Sequence, residues 1–282
     1  MADFNAVTDL HHAYSRALTF FNKFGEDFMQ VFEYAEMGML MKSEASWPYA
    51  TKCMCCKNDT SSIIGRDPNI YICRSCYHVF RDYSFIDLKE FYNEYFRSKH
   101  TTNTKKISKD SEKMQKDLRM VNIIKPWIKS THTLFELGSS FGNLASLLKN
   151  NIEVKDFFCC EIDDKMVKEC QNKGHKVVNE DFFKIKNQQY DCFLGIDVIE
   201  HILHLPELVD KIRELGFKRV VTQVPVKREI HNRLPWDGHF HYFNKKSLIE
   251  LFGSEYKLVF SYDTKKGETQ AGEGLITVFD KI

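Results

Sequence analysis

Thr133–Asn143 reads TLFELGSSFGN, and the order of its residue types decides the fold. An apolar run of strand length breaks at Glu136 into Gly138, Ser140 and Gly142. Leu144, Leu147 and Leu148 follow at helical spacing, so the stretch predicts strand, tight turn, helix. In α/β proteins that turn binds nucleotides. Gly138 lets the backbone reverse without a Cβ clash, Gly142 is expected to let a ligand approach the helix start, and the first helical N–H groups point into the crevice. The spacing is E-x-G-x-x-x-G, with Ser140 where the pyrophosphate fingerprint G-x-G-x-x-G has its middle glycine, so the turn does not fit that fingerprint.

Toward the C-terminus the pattern alternates without a break. Strands are predicted over Asp156–Glu161, Lys176–Asn179, Tyr190–Ile196 and Arg219–Val224. Helices are predicted over Asp164–Lys173, from Pro206 to Gly216, and from a cap at Asn244 through Phe252. Lys257–Ser261 and Leu275–Phe279 finish the chain as a hairpin across the Gly-rich KKGETQAGEG. Alternation of this kind implies crossover connections and a mostly parallel sheet covered on both faces, while the last pair is antiparallel because its connection is too short for a crossover helix. The expected fold class is therefore α/β, a seven-stranded Rossmann-like sheet with its last strand antiparallel.

Such a sheet binds ligands at the carboxyl ends of its strands. Reading those ends in order gives Glu136, Glu161, Asp181 and Asp197, an acid at each of four consecutive strands. Glu161 is placed to accept both hydroxyls of a ribose and would repel a phosphate there. Asp181 suits the exocyclic amine of an adenine, and Glu136 suits a cationic amino-acid group. Together they describe a ligand with a ribose, an adenine and a positive charge but no pyrophosphate.

These residues carry a resemblance. Thr133–Ile282 resembles the class I S-adenosylmethionine-dependent methyltransferases: ELGSSFG is similar to their first motif, CCEID to the segment with the ribose-binding acid, and NEDF to the adenine-contacting segment. YDCFLGIDVIEHI resembles their fourth strand with a following Glu-His pair, and GHFHYFNKKSLIELF a later segment of the same branch. The resemblance implies that Glu136, Gly138, Ser140, Gly142, Asn143, Glu161, Ile162, Asp181, Phe182 and Asp197 hold S-adenosyl-L-methionine. Methyl transfer to a hydroxyl is an in-line displacement that needs the hydroxyl proton removed, a task suited to histidine near neutral pH. His201, just past the fourth strand, is the expected general base, with Glu200 orienting it or the substrate; His239 and His241 are alternative bases from the opposite wall. His204 and His231 read as surface residues, and Trp236 and Tyr242 as either a stacking pair or core.

Upstream, Cys53-x-x-Cys56 and Cys73-x-x-Cys76 stand sixteen residues apart, with turn residues Gly65, Pro68 and Asn69 between them. Two such knuckles place four thiolates at the corners of a tetrahedron, the geometry of a closed structural Zn²⁺ site. Cys55, beside Cys56, can substitute for it. The CxxC, YICRSCYHVF and EFYNEYF run is similar to the zinc ribbon and linker that precede the core in sugar and small-molecule methyltransferases. The expected organisation is an N-terminal helical segment over 1–46, a zinc ribbon over 47–82, a helical linker over 83–130 and a methyltransferase domain over 131–282. Sugar C-methyltransferases with a similar ribbon carry a further C-terminal domain, so the expected reaction is O-methylation of a sugar, nucleotide-sugar or other small hydroxylated molecule. RNA methylation through the ribbon and a basic linker, sugar C-methylation, and a non-catalytic interaction module are the alternatives.

Bulk composition narrows the partners. Forty basic residues against thirty-nine acidic ones in 282 leave no global attraction to nucleic acid or anionic membrane, although 97–129 carries ten Lys/Arg against three acids. No run approaches the length that spans a bilayer, the start lacks a leader pattern, and nine cysteines then read as thiols and metal ligands in a reducing cytoplasm. Phe20, Phe24, Phe28 and Phe32 form a helical stripe that suits packing on the chain itself, a homodimer contact or a lid.

Overall fold

Strand β4 (Thr133–Leu137) stands near the middle of a seven-stranded sheet, with β5 (Asp156–Cys160) on one side and β7 (Cys192–Ile196) on the other. The structure is a computed structural model that describes residues 52–62, 70–73, 75–81, 111–226, 239–253, 255–269 and 272–282. The helical segment expected over 1–46, the part of the expected helical linker before residue 111, and the residues His231 and Trp236 lie outside them.

Beyond β5 lies β6 (Lys176–Val178), and beyond β7 lies β8 (Arg219–Pro225), all parallel. The chain then adds β10 (Tyr256–Thr269) and β11 (Gly272–Lys281), and β11 enters between β8 and β10, antiparallel to both, giving the order β10-β11-β8-β7-β4-β5-β6. Arg219 and Asp280 are cross-strand partners in that register, and their bidentate pair (2.5 and 2.7 Å) pins β11 to β8. The final hairpin is longer than its composition suggests. Most of the Gly-rich KKGETQAGEG continues the two strands, because a register shift after Thr264 absorbs the irregularity.

Helices cover both faces, and the strand period of two sorts the side chains between them. Leu134, Cys159, Leu194 and Val221 face one apolar cluster with α1 (Ser111–Ile124) and α2 (Asn143–Asn151). Phe135, Cys160, Phe193 and Val220 face the other, with α4 (Leu205–Glu214) and α5 (Lys245–Phe252). There Phe217 meets Phe135 and Phe193 edge-on at 5.7 and 5.4 Å between centroids, the arrangement that adds about 0.5–1.5 kcal/mol per pair beyond burial. Helix α3 (Asp164–Asn172) begins where the Asp163 carboxylate accepts the Lys165 and Met166 N–H groups.

A second, four-stranded antiparallel sheet joins β1 (Thr60–Ser62), β2 (Ile70–Cys73) and β3 (Val79–Arg81) to β9 (His241–Tyr242). The last of these strands comes from the segment after β8. Its two residues carry no alternation to read, so the sequence predicts only a loop there. Among the described residues no helix is long and apolar enough to cross a membrane.

Candidate active site

The turn after β4 is tighter than its two glycines alone require. Gly138, Ser140 and Gly142 all take left-handed φ, at +68°, +50° and +67°. At Gly138 a Cβ would meet Val198 Cγ2 at 2.9 Å. At Gly142 it would meet His175 Cδ2 at 2.8 Å and Cys170 Sγ at 3.0 Å. Gly142 is therefore needed for its φ and for close packing against Cys170 of α3 and against His175, which leads into β6. Ser140 holds a conformation that glycine adopts without strain, and its N–H donates to Glu161 Oε2 at 2.9 Å.

Glu161 is bound from three sides. Besides Ser140, the Ile162 and Asp163 N–H groups donate to its Oε1 at 2.8 and 3.0 Å. Burial raises its pKa above the ordinary value, and the three N–H bonds pull the other way. The acid is thus fixed at the end of β5 by the turn of β4. Ile162 beside it is 71% exposed, an apolar surface at the sheet edge. Asp181 is exposed and caps the turn at Phe182–Lys184 by accepting the Phe183 N–H at 3.1 Å. The Phe182 ring is buried against Phe135 and Phe193, where it fills core.

Above β4, β7 and β8 opens a cleft of about 200 Å³, lined by Glu136, Gly138, Ser140, Asn143, Asp197 and Gln223 together with Lys116, Asp117 and Met120 of α1. It sits where the chain, after laying β5 and β6 on one side of β4, crosses to lay β7 and β8 on the other, the switch point at which such sheets bind ligands. Glu136 is 4% exposed, and its Oε2 has no hydrogen-bond donor among the described residues. Burial first, then Cys170 and the acids Asp117 and Glu161, hold its pKa well above the carboxylate range. Gln223 is equally buried; its Nε2 donates to both Asp197 oxygens at 3.1 and 3.2 Å, while its Oε1 lacks a donor. Two acceptor oxygens at the cleft therefore lack a donor. Sequence reasoning missed Gln223, which sits in a buried strand among apolar residues, a signal that was available, and Lys116 and Asp117, whose helix reaches the cleft only through tertiary packing.

No family model matches this sequence, and no curated protein matches it. Solved structures do. The magnesium protoporphyrin IX methyltransferase of Synechocystis PCC 6803, in complex with SAH, is 15% identical with a TM-score of 0.56, over 69% of this chain and all of that one. The same enzyme with bound SAM is 17% identical at a TM-score of 0.54, over 70% and 98%. The 1,6-didemethyltoxoflavin-N1-methyltransferase of Burkholderia thailandensis is 14% identical at 0.53, over 78% and 99%. The fold is that of a class I methyltransferase.

The remaining predicted residues of this methyltransferase fold lie past β7. Glu200 is 1% exposed, its Oε2 has no donor among the described residues, and burial followed by Asp197 holds its pKa well above the usual range. His201 Nε2 stands 4.0 Å from Glu200 Oε1, and the His201 and His239 rings meet edge-on at 4.6 Å. His241 departs from expectation. It is fully buried, its Nε2 lies 2.8 Å from the Ile202 carbonyl and its Nδ1 3.1 Å from His78 Nε2. A carbonyl only accepts, so Nε2 carries the hydrogen and Nδ1 accepts from His78, which leaves neither nitrogen for a substrate proton. Burial, then His78, hold His241 well below the ordinary histidine value, consistent with a neutral brace.

His78 leads to the cysteines. Its Nδ1 is 3.7 Å from Cys53 Sγ. The two Cys-x-x-Cys turns repeat one hydrogen-bond pattern: Lys57 N–H to Cys53 O and Tyr77 N–H to Cys73 O at 2.9 and 2.8 Å, then Cys53 N–H to Asn58 O and Cys73 N–H to His78 O at 2.8 and 2.9 Å. Sulfurs face across them at 3.5 Å (Cys53, Cys76) and 3.3 Å (Cys56, Cys73), far beyond the ~2.05 Å of a disulfide and near the ~3.8 Å edge of a thiolate tetrahedron around Zn²⁺. All nine cysteines are free thiols, and Cys53, Cys56, Cys73 and Cys76 can hold a metal ion. Cys53, Cys55 and His78 form a second, overlapping donor set.

Proposed function

We propose that this protein is an S-adenosylmethionine-dependent methyltransferase acting on a hydroxyl of a small molecule, a sugar or nucleotide-sugar being the favoured acceptor. The observation that carries the reading is the pair of donor-less buried oxygens, Glu136 Oε2 and Gln223 Oε1, at a switch-point cleft. An ammonium group supplies the donors they lack, and a carboxylate so raised in pKa becomes an anion once a cation settles beside it. Glu161 stands at the next strand end to take a ribose, with Ile162 offering its exposed apolar surface to the base. When bound, S-adenosylmethionine supplies an electrophilic methyl on a sulfonium.

The chain's own part is alignment and proton removal. Asp197, fixed by Gln223, borders the cleft; three residues on, Glu200 and His201 begin the wall that receives the acceptor. His201 takes the hydroxyl proton, with Glu200 beside it at 4.0 Å to orient it or the substrate, and Cys53, Cys56, Cys73 and Cys76 would hold a structural Zn²⁺. Calorimetry with S-adenosylmethionine is the test. A Kd in the micromolar range, about −8 kcal/mol, is expected. Loss of most binding is expected in Glu161→Ala, and labelled methyl should appear on a hydroxylated acceptor. No heat with S-adenosylmethionine or its demethylated product would overturn the reading.

A further inference from the structure

We infer that Glu200, His201 and His239 form a second metal site, open on one side, that takes a divalent cation of mixed nitrogen and oxygen preference and presents it to the acceptor hydroxyl. The inference rests on the methyl-transfer reading and changes one role inside it: with the cation in place, His201 is a ligand.

Geometry carries this. One donor atom from each of the three residues lies within 4.8 Å of the other two. The Glu200–His201 separation of 4.0 Å is too long for a hydrogen bond, so the carboxylate and the imidazole face each other without being bonded. Glu200 is 1% exposed, and its second oxygen has no donor among the described residues, an arrangement that a cation beside the two imidazoles completes. Donors around an ion at ~2.1 Å stand about 3.0–3.4 Å apart, so closure asks shifts of roughly 1 Å or less. Two imidazoles and one carboxylate leave coordination positions open, as in catalytic sites and unlike the four-sulfur ribbon.

The position fits the chemistry. The turn bearing Glu200 and His201 follows directly on Asp197, which lines the cleft. His239 comes from the opposite segment, and the Phe240 N–H next to it donates to the Glu200 carbonyl at 2.7 Å, which fixes the two walls together. An acceptor oxygen held there is more acidic, and its proton passes to solvent water. Its freed lone pair forms the O–CH₃ bond, and the sulfur keeps the pair of the broken S–CH₃ bond and becomes a neutral thioether.

Mn²⁺ distinguishes the two metal sites because it favours oxygen and nitrogen over thiolate. With the ribbon ion left in place, titration of the full chain followed by electron paramagnetic resonance should show one Mn²⁺ bound. Glu200→Gln and His239→Ala should each weaken it at least tenfold, while circular dichroism melts report whether the variants fold. An unchanged Mn²⁺ affinity in folded variants, or no Mn²⁺ bound by the native chain, would overturn the inference. S-adenosylmethionine calorimetry on the same samples separates the readings: cofactor bound without Mn²⁺ sinks the metal site alone, and Mn²⁺ bound without cofactor sinks methyl transfer alone.

Discussion

Glu136 is a carboxylate that the empty fold holds at a cost. Its pKa is raised in the folded chain relative to an ordinary carboxylate, so the folded state binds the proton more tightly than the unfolded state does. The associated stability is fully present below the ordinary value near 4.5 and is lost as pH rises toward the raised one. Glu136→Gln should therefore make the ligand-free protein about 1 kcal/mol more stable at neutral pH and flatten that pH slope, as measured by denaturant unfolding. The same change should weaken S-adenosylmethionine roughly 10- to 100-fold, the worth of a charged hydrogen bond of about 1.5–3 kcal/mol. Binding to the native protein should release a proton, visible as a calorimetric heat that changes with the buffer's ionisation enthalpy. Ser140 gives a second prediction at this scale. A non-glycine residue in the left-handed region costs about 1–2 kcal/mol, and glycine returns part of that as chain entropy. Ser140→Gly should thus add roughly 0.5–1 kcal/mol and raise the melting temperature, with the Glu161 contact kept because it is made by the backbone.

The turn Ile199–His201 is short and has few bonds of its own, so its neighbours hold it. The Phe240 N–H reaches the Glu200 carbonyl, and His241 reaches the Ile202 carbonyl while leaning on His78 of the ribbon. His241→Phe would leave that carbonyl without its imidazole donor and loosen the wall that carries Glu200 and His201. Its expected signature is a split: S-adenosylmethionine affinity within about twofold of the native value, and kcat down by about tenfold to a hundredfold, since misplacement by ~1 Å suffices for that. Equal losses in both would show that His241 supports the cofactor cleft itself. This also marks the border of what was legible in the sequence. Strands β4 to β8 announce themselves through apolar runs and turn residues, and Glu161 through its position after the second run. The acids were legible as strand ends; their different fates were not. Glu136 is buried, Glu161 is tied down by three N–H groups and Asp181 caps a turn, and these depend on where distant backbone comes to rest. His241 looked like a base because chain position alone cannot show that a second histidine, 163 residues upstream, occupies its other nitrogen.

Across the molecule, the four-cysteine segment, called the ribbon after its expected fold, shares material with the large sheet. Cys53, Cys73 and Cys76 are buried in the apolar cluster that also contains Leu208, Val224 and Phe252. Strand β9 completes the ribbon's sheet from a segment of the core, and Asn244, which caps α5, donates from its side-chain amide to the Cys76 and Tyr77 carbonyls at 3.0 Å. The ribbon and the sheet fall in one compact unit. A metal ion held by the four thiolates should then stabilise that whole unit, beyond the few dozen residues around it. For an ion at a thousand times its Kd the linkage is about 4 kcal/mol, and a body of this size shifts by about 2–4 °C per kcal/mol. Stripping the ion should lower the main calorimetric transition by roughly 8–16 °C and keep it single, because β3 cannot leave β9 without uncovering His241 and the turn it braces. A separate low-temperature transition, with the main peak unmoved, would mean that the ribbon melts by itself and that the shared strand and the Asn244 contacts couple nothing.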